Sequence, residues 1–163
     1  MRDYQRPFNI LKTYQAVEPI SGKAAGEAIL RDFPEKQSVD VIFTVNDGGG
    51  LNVVKVMADA GRSEIVVATI DGDPDSIRNI QQQKLTHIDS AQFCGPMGSQ
   101  AMMVAADHLN GNAVAHHLLL PVYPITRGTL GGYPGWEGPI PDNFIKPWHS
   151  KEPTWGNLIK EFE

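Results

Sequence analysis

Three polar side chains in this sequence close three short apolar runs. Asn46 follows Val39–Val45, Asp71 follows Ile65–Ile70 and Gln92 follows Leu85–Ala91. The segments between these runs have helical character, and strands alternating with helices imply a parallel sheet whose strand C-termini emerge along one edge. Ligands of open α/β sheets bind outside that carboxyl edge. An amide, a carboxylate and a second amide therefore converge on one crevice. The carboxylate accepts from neighbouring hydroxyls, while the amides both donate and accept, which suits a small polyhydroxylated molecule.

The elements that must position these groups follow from pattern. Phe8–Tyr14 (FNILKTY) reads as a first strand. After a loop at Gln15–Gly22, Ser21 is a plausible N-cap for a helix ending at Pro34, with Ala24, Ala25, Ala28, Ile29 and Phe33 as its stripe. Val39–Val45 is almost continuously apolar and reads as a strand buried on both faces. Asp47 can cap the next helix, in which Leu51, Val54 and Met57 recur at helical spacing before Gly61 stops it. Gly48–Gly50 at the start of that helix signals a close approach, either of protein in a crowded turn or of a ligand. Asp73 or Asp75 can cap the helix SIRNIQQQ.

Further on, the helix MGSQAMMVAADHL is expected to turn Met97, Ala101, Val104, Ala105 and Leu109 inward and to end at Asn110-Gly111. His117–Ile125, interrupted by Pro121 and Pro124, reads as an edge or crossing strand. From Thr126 the chain becomes rich in Gly, Pro and Trp and is expected to wrap over a surface, with a short helix only at its end. Tyr133, Trp136, Trp148 and Trp155 are expected to pin this segment to the domain rather than to stack on a ligand.

Composition narrows the function classes. The length of 163 residues, with 41% hydrophobic and 20% charged, is that of one globular domain. A net charge of −5 without a Lys/Arg cluster argues against a nucleic-acid-binding face in this chain. The single cysteine, Cys94, cannot form an internal disulfide and reads as a small buried thiol. His116-His117 lacks Cys, Asp or Glu at ligand spacing, so no metal is expected. No apolar run approaches the roughly 18 residues of a membrane span, and the polar start MRDYQRPFNI is expected to carry no secretion signal. No GxGxxG follows the first strand and no Ser/His/Asp or Cys/His arrangement is evident; no enzyme and no cofactor are expected.

VDVIFTVND, IVVATIDGDPDSIRNIQQQKL, IDSAQ and ADHLNGNAVAHHLLLPVYPIT in this order resemble the second lobe of the type I periplasmic binding proteins, the ribose-binding-like receptors of sugar ABC importers. The resemblance covers about residues 7–127. It implies a Rossmann-like parallel sheet with helices on both faces, forming one C-terminal lobe over residues 1–127 with a terminal segment at 128–163. It implies a periplasmic or extracytoplasmic, non-enzymatic sugar or polyol receptor whose partners are ABC transporter membrane subunits and a first lobe absent from this chain. The family's hydroxyl-binding Asn, Asp and Gln map onto Asn46, Asp71 and Gln92.

Departures from the family are evident too. Val17–Gly22 lacks the aromatic that many members place there, Gly48–Gly50 replaces a bulkier stretch, and the family's binding arginine falls outside the chain. The effector-binding domain of a LacI-like transcription regulator shares the fold and is the alternative, although the DGDPD turn and the GYPGW tail favour the receptor. Without its first lobe, the segment after Leu130 is expected to be poorly anchored or to favour self-association.

Overall fold

The computed structural model describes residues 8–141 and the backbone of residues 160–162. Strands alternate with helices as the apolar runs require. The elements are α1 (Pro19–Asp32), β1 (Val41–Phe43), α2 (Asp47–Asp59), β2 (Val66–Asp71), α3 (Pro74–Gln81), β3 (Thr86–Ala91), α4 (Cys94–Leu109), β4 (His117–Leu119), β5 (Tyr123–Ile125), a 3-10 turn (Leu130–Gly132) and β6 (Lys160–Phe162). The main sheet has the order β1-β2-β3-β5, parallel throughout except for the antiparallel edge strand β5. Helices flank this sheet, so the α/β class read from the sequence is the class observed.

The core lies in two clusters. Ala25 and Ile29 of α1 meet Val53, Val54 and Met57 of α2 above Val39, Ile65, Val67 and Leu85. Ile80 of α3 packs with Ala91, Phe93, Tyr123 and Ile125. Close helix contact requires small residues: a Cβ on Gly26 would lie 2.8 Å from Val56 Cβ, and one on Gly49 would strike the Ala16 carbonyl. Gly50 meets the Thr44 hydroxyl in the same way. The glycine run at the head of α2 is thus a crowded crossing of protein against protein at Gly49 and Gly50.

Several sequence expectations are corrected. Phe8–Tyr14 forms no strand; among the described residues no neighbour shares a ladder with it, and Phe8, Ile10 and Leu11 are exposed. Val39–Val45 supplies only the three-residue β1, and it is an edge strand rather than one buried on both faces. Val41, Phe43 and Val45 project from a face that no other layer covers among the described residues. Helix α1 starts at Pro19 with Glu18 as its cap, its carboxylate accepting from the Ile20 and Ser21 N–H groups while Ser21 Oγ accepts from the Glu18 N–H. The role expected of Ser21 alone is therefore shared in a reciprocal box.

Helix α4 buries none of its residues. Of the stripe expected to point inward, Met97, Ala101, Val104 and Ala105 instead border an open groove of about 600 Å³ between α4 and residues 118–122, and Leu109 is exposed. Cys94, at the head of α4, is exposed rather than buried. The run His117–Ile125 divides into β4, which pairs with β6, and β5, which edges the main sheet. The last residues thus add a strand where a helix was expected. Among the described residues, no helix is long and apolar enough to cross a membrane.

Candidate functional site

Because β1, β2 and β3 are parallel, Asn46, Asp71 and Gln92 leave the sheet on one side, and each is half-buried. Asp71 is the last residue of β2 and takes a φ of 128°, a conformation side-chain-bearing residues rarely adopt. Such backbone costs on the order of 1–3 kcal/mol and persists only where the surroundings enforce it. Here they do. Asp71 Oδ1 accepts from Gln92 Nε2 at 2.8 Å and Oδ2 accepts from the Asp47 N–H at 3.2 Å. Its carbonyl accepts from the Gln92 N–H at 3.0 Å and from Trp136 Nε1 at 2.8 Å.

Gly72 completes the turn with a φ of 81°, and a Cβ there would sit 2.8 Å from the Tyr133 hydroxyl. No other residue fits both constraints. Asp73, not Asp71, caps α3, accepting from the Asp75 N–H at 2.7 Å. This leaves the Asp71 carboxylate at the crevice, with a second acceptor position on each oxygen.

Asn46 corrects an expectation about capping. It, and not Asp47, is the N-cap of α2: Oδ1 accepts from the Gly49 N–H at 3.1 Å, and Nδ2 donates to the Val17 carbonyl at 2.9 Å. An amide offers two donors and two acceptor positions, so one of each remains for a ligand. Gln92 spends one Nε2 proton on Asp71 and keeps its second N–H and its Oε1 uncommitted among the described residues. Together the three side chains present acceptors and donors on one edge.

Behind this edge lies a buried acidic group. Thr44 Oγ1 donates to Thr69 Oγ1 at 2.7 Å, and Thr69 Oγ1 donates to Asp47 Oδ1 at 2.7 Å. Asp47 Oδ2 accepts from the Asp73 N–H at 2.8 Å. Asp89 Oδ1 accepts from the Gly72 N–H at 3.0 Å. Burial pushes the Asp47 carboxyl above the usual carboxylate range, and burial together with the charge of Asp47 pushes Asp89 up to about 7. The Tyr133 phenol is raised as well, by burial first and then by Asp89.

Sequence reasoning did not single out Asp89 or Thr69. The one available signal was an acid set inside the apolar strand LTHIDSA, where an unpaired charge is costly. It placed Tyr133 and Trp136 on the domain surface but not on the edge itself. Tyr133 Oη donates to the Gln92 carbonyl at 3.2 Å, and the Trp136 carbonyl accepts from the Gly95 N–H at 2.9 Å. The start of the terminal segment is therefore pinned across the strand ends rather than poorly anchored. Trp148 and Trp155 lie outside the described residues. The groove beside α4 reaches Gln92 but is lined mainly by apolar side chains, a poor match for hydroxyl groups.

The sequence matches the family model for the periplasmic binding protein domain over residues 1–113. The chain belongs to this family. Among curated relatives, the ribose import binding protein RbsB of Escherichia coli (strain K12) is 29% identical over 108 residues, covering 66% of this chain and 35% of RbsB. Among solved structures, an ABC transporter solute binding protein from Agrobacterium vitis with bound allitol is 27% identical with a TM-score of 0.68, covering 75% of this chain and 43% of that one. A solute binding protein from Bacillus halodurans with bound myo-inositol shares the fold at 22% identity and a TM-score of 0.62, covering 70% of this chain and 38% of that one. This periplasmic binding protein chain thus spans well under half the length of these relatives.

Proposed function

We propose that this chain is a sugar- or polyol-binding lobe of an ABC importer receptor, acting by capture and closure rather than by catalysis. The observation that carries this reading is the Asp71 carboxylate, held at the strand edge by Gln92 and by the N–H of Asp47. Asp71 accepts from two vicinal hydroxyls while Asn46 and Gln92 each donate to one oxygen and accept from another. The likeness to an allitol-bound receptor at 27% identity supports a polyol or aldose of that size.

On this reading residues 1–127 form the lobe and 128–163 the segment that passes across its edge. A first lobe outside these 163 residues closes the other side of the crevice, and membrane subunits of an importer receive the ligand in an extracytoplasmic compartment. The bare apolar face around Phe43 calls for a covering layer, since parallel sheets are buried on both sides. The LacI-like alternative has less support, because the relatives above are transport proteins.

Calorimetry with allitol, ribose and myo-inositol tests the proposal. Half a cleft offers few contacts against an association cost of about 4 kcal/mol or more, so dissociation constants on the order of millimolar are expected. Asp71→Ala should abolish binding. Binding that survives this substitution would remove Asp71 from the site.

A further inference from the structure

Asp89 is fully buried near the middle of β3, paired in register with Thr69 of β2, and does not reach the crevice. Its Oδ1 accepts from the Gly72 N–H, the amide that follows Asp71, whereas its Oδ2 and the neighbouring Ser76 Oγ are buried without a well-formed hydrogen bond among the described residues, although Asp47 and Ser76 both stand close enough to act on it. The side chains acting on it are Asp47 from α2 and Ser76 from α3. Asp47 already accepts from Thr69 Oγ1 and from the Asp73 N–H, which satisfies it as a carboxylate. Two buried carboxyls facing one set of donors hold one negative charge between them far more readily than two. Because Asp47 holds the better donors, the proton belongs to Asp89.

We propose that Asp89 is a positioning residue of the sugar site: as a neutral buried acid it anchors the Gly72–Asp73 turn beneath Asp71, and its deprotonation loosens that turn and weakens ligand binding. The anchoring has two halves on consecutive amides. Gly72 N–H goes to Asp89 and Asp73 N–H goes to Asp47, so the turn that carries Asp71 is clamped between the two acids. A second charge in this pocket sets the two acids repelling one another, and the turn whose amides both of them hold lies between them.

Among the described residues, the other groups facing Asp89 do not supply a compensating cation. Thr69 comes from β2, the Tyr133 phenol from the terminal segment feels Asp89 and is kept neutral, and His87 on β3 itself is exposed. The largest influences on Asp89 are burial, Asp47, Ser76 and the Gly72 amide.

The inference rests on the sugar-site reading only in its last step, and the test separates the two. Carbon-detected NMR of the full chain, without ligand, follows the Asp89 carboxyl together with the Gly72 and Asp73 amides from pH 5 to 8.5. All three should inflect together near neutrality, and in Asp89→Asn, which keeps the shape and removes the proton, the turn amides should show no inflection. An Asp89 carboxyl that titrates in the ordinary range below 5, or turn amides unaffected by Asp89→Asn, would overturn the proposal. Allitol binding should then weaken by about 30-fold between pH 6 and 8.5 in the wild type, the drop for a site that needs one proton lost near 7. It should be flat in Asp89→Asn. A turn that titrates in a protein binding no polyol at any pH would leave the clamp standing and refute its service to a sugar site.

Discussion

Gln92 grips Asp71 twice: its Nε2 donates to Asp71 Oδ1 at 2.8 Å and its backbone N–H donates to the Asp71 carbonyl at 3.0 Å. The second bond belongs to the ladder between neighbouring strand ends, whereas the first aims the carboxylate. Removing the side chain therefore leaves the sheet intact and removes one of the two contacts that aim the carboxylate, leaving the longer one from the Asp47 N–H. Gln92→Ala should lower polyol affinity by at least tenfold, combining a lost ligand contact with lost orientation of an acid; hydrogen bonds to charged groups contribute roughly 1.5–3 kcal/mol. Stability should change by less than about 1 kcal/mol, because Gln92 is half-buried and its backbone bond remains. Calorimetry and urea unfolding on one preparation check both halves.

The buried acids predict the pH dependence of stability. Asp89 is raised from 3.8 to about 7 in the fold, so between those values the native chain holds a proton that the unfolded chain has released. Its contribution is fully present below about 3.8 and is lost as pH rises to about 7. Glu64 acts oppositely: Arg62 beside it lowers its carboxyl to about 2, and that contribution is present above 4.5 and lost as pH falls toward 2. Urea midpoints for Asp89→Asn should decline less between pH 4 and 7 than those of the wild type, the raised Asp47 carboxyl remaining in both.

Glycine substitutions separate crowding from simple flexibility. Gly49 faces the Ala16 carbonyl, a backbone group that cannot move aside, so Gly49→Ala should destabilise by more than about 2 kcal/mol or prevent folding. Gly98, inside α4, has nothing within 4 Å of its missing Cβ. Gly98→Ala should stabilise the helix by up to about 1 kcal/mol. Thermal unfolding of the two variants, with opposite signs expected, is the check.

The apolar face of β1 governs association. Phe43 is 64% exposed and stands between exposed Val41 and Val45, a patch of the kind that seeks a partner. Phe43→Lys should shift sedimentation toward monomer and raise solubility without altering polyol affinity, since Phe43 lies three residues before Asn46 on the strand. Unchanged sedimentation of a self-associating wild type would move the contact elsewhere.

The course of the chain from α1 to β3 was legible because each strand run ended in a polar residue and each helix had a stop such as Pro34 or Gly61. Phe8–Tyr14 was misread because β-forming residues make a strand only when a neighbour supplies the ladder, and sequence carries no record of who that neighbour is. The α4 stripe was misread for a related reason: Met97, Val104 and Leu109 mark an apolar side, but not whether anything covers it. At the site, Asn46, Asp71 and Gln92 stood out as strand-terminal polar residues. The cap assignment slipped by one residue, to Asn46 from Asp47, because Asp47 turns inward to Thr69 and the Asp73 amide. That inward turn depends on contacts more than twenty residues away.

A polyhydroxylated ligand is expected to bind where β1, β2 and β3 end, on Asn46, Asp71 and Gln92. The most direct measurement is an NMR titration of the full chain with allitol, following backbone amides and the side-chain amides of Asn46 and Gln92. Saturable shifts on the order of millimolar allitol should concentrate at the Asn46 and Gln92 side chains and at the Asp47 and Gly72 amides, and should vanish in Asp71→Ala. Shifts confined to the groove beside α4, or shifts at the strand ends that persist in Asp71→Ala, would contradict it.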